Sequence, residues 1–277
     1  MAGEGETPIL EVQNLVKQLG GRRVLDGLSL KIPRGKTMVI LGASGSGKST
    51  LLQHLIGHLQ PDSGQILYKG TPLSDLTREE MDQYRRKFGM LFQGAALFDS
   101  MTVAENVGLP LRENPDNTLS DSSIEGLVSL RLAQVGVEGF EEAYPDELSG
   151  GMKKRVGLAR ALILDPEIVF YDEPGAGLDP ITLSVINDLI ADLTRKLGVT
   201  SVVITHEMKS AFNIGDELAI LHEGEIIATG TPEMIRASGD PYVQQFVHGQ
   251  PPAREKINGA DAGRDTGNAE QPTNDSG

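Results

Sequence analysis

The sequence predicts an α/β fold: a parallel sheet with helices on its faces and a helical subdomain inserted into it. Three observations carry that prediction. Residues 168–171, 181–197 and 201–205 read strand, helix, strand, the alternation that a parallel sheet requires. The short apolar run 37–41 leads through Gly42-Ala43-Ser44-Gly45-Ser46-Gly47-Lys48-Ser49-Thr50 into the apolar-rich segment 51–56. That order is buried strand, glycine-rich turn, helix. From residue 94 to about residue 157 helical periodicity takes over from strand-like patterning.

Taken in order, residues 1–8 are an extension outside a predicted domain spanning 9–248. Segments 9–16 and 24–32 alternate apolar with polar residues, as at Leu28, Leu30 and Ile32, and read as half-buried strands around Gly20-Gly21-Arg22-Arg23. Pro33-Arg34-Gly35-Lys36 turns into the run 37–41. After the next helix, Pro61-Asp62-Ser63-Gly64 breaks the chain and 65–68 resumes a strand. Thr77, with Glu80 three residues on, caps a short helix running toward Arg86. Segment 88–92 is a strand ending at Gln93. Helices follow over 103–111 and 124–135, separated by Asn114-Pro115-Asp116-Asn117. In the second, Leu127, Val128, Leu130, Arg131 and Leu132 lie on or beside one face. A helix over 151–164 returns the chain to the sheet and stops at Asp165-Pro166. Segments 218–222 and 225–229, joined at Glu223-Gly224, read as a hairpin-like pair. Residues 249–277 hold almost no large apolar side chain. Such a tail cannot offset its ordering entropy and is expected to be disordered.

Composition narrows the class. With 277 residues, 39% hydrophobic, 4% aromatic and no Trp, the chain has ample aliphatic core for one large domain or two small ones. A formal net charge of −14 argues against nucleic acid as a partner and against a broad electrostatic grip on anionic lipid. The basic runs Tyr84-Arg85-Arg86-Lys87 and Lys153-Lys154-Arg155 read as solvated helix faces. Zero cysteines exclude disulfides and thiolate metal sites. No basic and apolar leader opens the sequence, and no apolar run approaches the ~20 residues that span a bilayer. A cytosolic protein is expected.

The residues that carry chemistry begin with the glycine-rich turn. It matches G-x-x-x-x-G-K-[ST] in the strand-to-helix context that the pattern needs. Its glycines let successive N–H groups converge on a phosphate at a helix N-terminus. Lys48 is then placed for the β/γ-phosphates and Ser49 for Mg²⁺. The segment predicts nucleotide binding. Segment 168–173 is an apolar strand ending in Asp172 and Glu173. Set at the end of a strand beside the phosphate-loop strand, Asp172 is expected to hold Mg²⁺ through its water shell. Glu173, one step further out, suits a general base for water. Ser149-Gly150-Gly151, at a helix start, offers a hydroxyl and free N–H groups to an anion, or serves as a plain N-cap. His54 and His58, four apart, lack a third ligand nearby and read as packing or surface residues; Glu141-Glu142 reads as a solvated pair.

Together these motifs resemble the nucleotide-binding subunit of an ATP-binding-cassette (ABC) transporter, over roughly residues 8–248. Gly42 to Thr50 resembles the Walker A loop, and the strand ending in Asp172 and Glu173 the Walker B strand. Gln93 resembles the Q-loop glutamine, Leu148 to Met152 the signature, Gly177-Leu178-Asp179 the D-loop and His206 the switch histidine. Met152 stands where glutamine is more usual. The resemblance implies a P-loop NTPase (RecA-like) core with an N-terminal antiparallel β-subdomain and an inserted helical signature subdomain. It implies ATP and Mg²⁺ as ligands, Gln93 as a metal contact that also senses the membrane partner, and His206 at the γ-phosphate. Ser149, Gly150, Gly151 and Asp179 would close on nucleotide held by the opposite subunit, so the ATPase would work as a homodimer. The family's adenine-stacking aromatic falls at Leu19. Its absence forgoes about 0.5–1.5 kcal/mol of stacking, and GTP is expected to compete with ATP unless Arg22 or Arg23 covers the base.

Cargo is legible only by wording. Leu91 to Phe98, Leu109-Pro110-Leu111-Arg112-Glu113, the run after the signature (Met152-Lys153-Lys154-Arg155) and Gly177 to Thr182 resemble ATPases of MCE/Mla-type lipid transporters. That implies phospholipid transport with an integral permease and an MCE-domain lipid-binding protein, from the cytoplasmic face of the inner membrane. Residues 94–112 are the segment expected to touch the permease, and Ala95-Ala96-Leu97-Phe98 within them would line a groove for its helical loop or pack within the subdomain. A polar amino-acid importer ATPase shares nearly every motif. A soluble ABC ATPase of translation, repair or iron–sulfur assembly is disfavoured by the single cassette, and a module without turnover by Glu173 and His206.

Overall fold

The computed structural model describes residues 7–248. Most of the expected N-terminal extension and the whole of the expected tail lie outside the described residues. Two sheets organise the rest. The first has the order β2-β1-β4-β5 and is antiparallel. Its strands are β1 (Leu10–Leu19), β2 (Arg22–Ile32), β4 (Ser63–Tyr68) and β5 (Thr71–Pro72). The second contains β3 (Thr37–Leu41), β6 (Phe88–Leu91), β7 (Ile168–Asp172), β8 (Thr200–Thr205), β9 (Glu217–His222) and β10 (Glu225–Gly230). Its order is β10-β9-β3-β8-β7-β6, parallel except for the β9–β10 hairpin.

Period two of the strands splits the core. Met38 and Ile40 of β3, with Phe170 and Ile204, face the antiparallel sheet and α1 (Lys48–Leu55). Val39 and Leu41, with Val169, Tyr171 and Val203, face the other way. There they meet α5 (Gly150–Leu162) and α6 (Pro180–Leu197). Every residue of β3 and β8 is buried, as continuous apolar strands covered on both faces must be.

One expectation is corrected. Asp172 does not end a strand beside the phosphate-loop strand: β8 lies between β3 and β7. Chain order does not set lateral order in a parallel sheet, because each crossover is free to skip a position. The helical subdomain is α3 (Val103–Arg112), α4 (Asp121–Gln134) and α5. Within α4, Leu130 turns to solvent at 50% exposure, while Arg131 is buried and pairs with Asp165. Thr77 closes the expected capping box on α2 (Arg78–Arg85), and Thr102 closes another on α3. Three further helices are too short to show a clear period in the sequence: α7 (Met208–Ile214), α8 (Pro232–Arg236) and α9 (Pro241–Val247).

Candidate nucleotide-binding site

The glycine-rich turn is tight for a physical reason. A Cβ on Gly42 would sit 2.5 Å from the Leu221 carbonyl oxygen, and Gly47, at φ 110°, would place one 2.9 Å from the Val24 carbonyl oxygen. Only glycine fits both places. Lys48 Nζ donates to the carbonyls of Gly42 (2.8 Å) and Ala43 (2.9 Å), folded over the loop. Burial lowers its ammonium pKa, with Glu173 and Asp172 opposing. Among the described residues, Ser46 Oγ is buried with no hydrogen-bond partner.

Beyond the loop opens a cavity of about 690 Å³, lined by Lys48, Ser49, Gln93, Asp172, Glu173 and His206, among others. Their elements explain the convergence: β3, β6, β7 and β8 are parallel, so the loops leaving their C-terminal ends meet at one edge. Burial pushes the Asp172 carboxyl up, and Glu173 beside it pushes the same way, against Lys154 and Lys48. A cation placed there would relieve both effects. Glu173 is held from three sides. Its N–H donates to the Ile204 carbonyl at 2.9 Å, Thr205 Oγ1 donates to Oε2 at 3.2 Å, and His206 Nδ1 lies 3.0 Å from both carboxylate oxygens. Its backbone is left-handed, at φ 45°, a conformation that persists only where the surroundings over-determine it.

The cavity suits a phosphate chain with a hard cation. It offers a carboxylate, a hydroxyl and an amide, all oxygen donors of the kind that Mg²⁺ takes. Among the described residues no three His, Cys, Asp or Glu side chains form a metal cage. An ion there would therefore draw part of its shell from phosphate and water.

Other expected residues stand apart. Ser149 caps α5, accepting from Met152 N at 3.3 Å, and does not line the cavity. Neither do Gly150, Gly151 and Asp179. Two of them meet at Thr182: its side chain donates to Asp179 at 2.5 Å, and its Cγ2 lies 2.6 Å from where a Cβ on Gly151 would be. Leu19 is at the tip of the β1–β2 hairpin, 43% exposed and outside the lining. Arg22 and Arg23 line an adjoining cleft with Val24 and Gly45. Two apolar lining residues were not foreseen, Val24 and Phe246. Phe246 is on α9, which Tyr242 anchors by stacking on His222, centroids 3.7 Å apart. His54 and His58 do not pair. His54 is buried with Nδ1 donating to the Thr50 carbonyl at 2.7 Å, while His58 is exposed.

The basic run at the signature is also corrected. Lys154 is 5% exposed and its ammonium donates to the backbone carbonyl of Gln93. A charge run in sequence says nothing about which member a helix turns inward. Arg160, on the same helix, donates to the carbonyls of Ala95 and Ala96, each at 2.7 Å. Those alanines are left-handed, at φ 61° and 49°, which costs roughly 1–2 kcal/mol per residue.

Comparison with known proteins agrees with this geometry. The chain matches the ABC transporter family over residues 25–176. It is 40% identical over 242 residues to the intermembrane phospholipid transport ATP-binding protein MlaF of Haemophilus influenzae, covering 87% of this chain and 91% of that one. The Mycobacterium leprae protein mkl, whose name assigns it to ribonucleotide transport, is 39% identical over 253 residues, 90% of this chain and 72% of its own length. Among solved structures, cbiO1 of Clostridium perfringens, part of an ABC transporter complex, superposes with a TM-score of 0.78 at 33% identity, over 84% of this chain and 92% of that one. A dimeric ATP-binding cassette in a post-hydrolysis state with ADP and Pi superposes with a TM-score of 0.73 at 31% identity, over 80% and 98%. The chain belongs to the ABC transporter family, as one of its ATP-binding and ATP-hydrolysing cassettes.

Proposed function

We propose that this chain powers a phospholipid transporter, hydrolysing ATP as a homodimer beneath a separate permease. The observation that carries the ATPase part is the single cavity that gathers Lys48, Ser49, Gln93, Asp172, Glu173 and His206. In this reading the loop from Gly42 to Thr50 cradles the phosphates, and Lys48 leaves its two loop carbonyls for the β/γ-phosphates. Ser49, Gln93 and Asp172 hold Mg²⁺, which when bound neutralises charge on the phosphates. Glu173 takes a proton from the attacking water, and His206 fixes the orientation of that carboxylate.

Homodimerisation belongs to the same reading. Ser149, Gly150, Gly151 and Asp179 lie outside the cavity, and in this reading a second copy presents them to each site. The dimeric cassette among the structural neighbours supports that arrangement. Two-fold pairing gives two identical sites, and hydrolysis then loosens the pair.

The permease fits a second concavity, of about 400 Å³, between β6 and the helical subdomain. Phe92, Ala96, Phe98, Leu109 and Arg160 are among its lining, and Phe92 and Phe98 are 44% and 50% exposed. An amphipathic helical loop of a membrane protein suits such a groove. Because no helix among the described residues is long and apolar enough to cross a membrane, this contact would hold the chain at the cytoplasmic face of the inner membrane. The lipid cargo and an MCE-domain partner rest on likeness to MlaF.

Purification of the tagged chain from membranes in mild detergent tests the assignment. An integral permease and an MCE-domain protein at equal stoichiometry are expected. A permease with a soluble solute-binding protein would move the cargo to a polar small molecule. Stimulation by ribonucleotides rather than by phospholipid would favour the likeness to mkl.

A further inference from the structure

Helix α5 and the segment after β6 are clamped together by side-chain to backbone hydrogen bonds. Segment 93–96 turns away from the sheet, so its carbonyls cannot be answered by strand neighbours. Three of them are answered by cations of one helix: Gln93 by Lys154, Ala95 and Ala96 by Arg160. Gly157, between the two cations, lets helix and loop backbones touch. A Cβ there would come within 2.9 Å of Leu91 Cδ1 and 3.3 Å of the Ala95 carbonyl oxygen. Lys154 is the buried member of its run, whereas Lys153 and Arg155 are half-buried.

We propose that Lys154 is a positioning residue: through the Gln93 carbonyl it fixes where the Gln93 side chain meets the metal, and it ties that geometry to α5, the helix that Ser149 caps. A rotation of α5 therefore moves the Gln93 backbone with it. This proposal rests on Gln93 being a metal ligand.

The test uses the full-length chain, Lys154→Met, Lys153→Met as a control, Gln93→Ala and the double variant Gln93→Ala/Lys154→Met. Three quantities are read: amide exchange over segment 92–97 without nucleotide, the Mg²⁺ concentration for half-maximal ATPase, and affinity for a fluorescent ATP analogue in EDTA. Lys154→Met removes the ammonium that holds the Gln93 carbonyl, so exchange in the segment and the Mg²⁺ requirement each rise by about tenfold. Affinity in EDTA stays within about twofold, because the phosphate loop is untouched. Lys153→Met matches wild type, and the double variant needs no more Mg²⁺ than Gln93→Ala alone. If Lys154→Met does not fold, Lys154→Gln, which shortens the donor but keeps one, carries the same readouts. Wild-type exchange and Mg²⁺ requirement in the Lys154 variant, with Gln93→Ala shifted, overturn this proposal alone. A Gln93→Ala protein with a wild-type Mg²⁺ requirement overturns the metal role of Gln93 itself.

Discussion

His206 holds its Nδ1 3.0 Å from both carboxylate oxygens of Glu173, and Thr205 donates to one of them. The carboxylate is thereby oriented before any substrate arrives, by two consecutive residues at the end of the neighbouring strand.

Glu173→Gln keeps the shape and removes the base. Phosphate release should fall by roughly 10²–10⁴-fold with ATP affinity intact. On size-exclusion chromatography the variant should run as a dimer with ATP. A variant still monomeric in saturating ATP counts against hydrolysis as the step that releases the dimer. Lys48→Ala should behave oppositely and lose nucleotide binding, read by titration calorimetry.

Base choice should be loose. Leu19 is exposed and outside the cavity, so Leu19→Ala should change ATP affinity by less than about twofold. GTP should compete within about one order of magnitude of ATP, the scale of one lost stacking contact. Competition against a fluorescent ATP analogue measures both, and rejection of GTP by several orders of magnitude would sink the prediction.

Much of this was legible in the sequence because it is local. The phosphate loop, the Thr77–Glu80 capping box and the β9–β10 hairpin are set by neighbouring residues, and their side chains fall where spacing puts them. Lateral placement is not local: nothing in the sequence says that β8 enters between β3 and β7. Burial of a charge was equally hidden. Lys154 reads as solvated until the carbonyl of Gln93, 61 residues away, is brought against it. Phe246 gave no signal because α9 is too short to show periodicity.

Gly89 should prove structurally intolerant. A Cβ there would lie 2.0 Å from the Ala161 carbonyl oxygen, where β6 meets α5. Gly89→Ala should destabilise the domain by at least about 2 kcal/mol in urea unfolding, since backbone on both sides leaves nothing flexible to move.

His54 should make stability fall in acid. Burial depresses its pKa below the ordinary 6.5, chiefly by desolvation. The unfolded chain then takes up a proton that the native state refuses. The contribution is full above pH 6.5 and is lost as pH falls from there toward the depressed native value. The slope for one proton is at most about 1.4 kcal/mol per pH unit. Unfolding of wild type and His54→Leu at pH 7, 6 and 5 checks this, with the flatter profile expected in the variant.

The strand order has a metric consequence. Adjacent strands of a sheet are spaced ~4.8 Å apart, and two steps separate β3 from β7. The end of the phosphate loop strand and Asp172 are thus about 10 Å apart laterally, with Thr205 and His206 midway. Backbone hydrogen bonds fix that interval, and no side-chain substitution alters it. The sheet is a length gauge: in the proposed reading, the interval between the phosphate loop and the Asp172 carboxylate is set by the rigid part of the molecule.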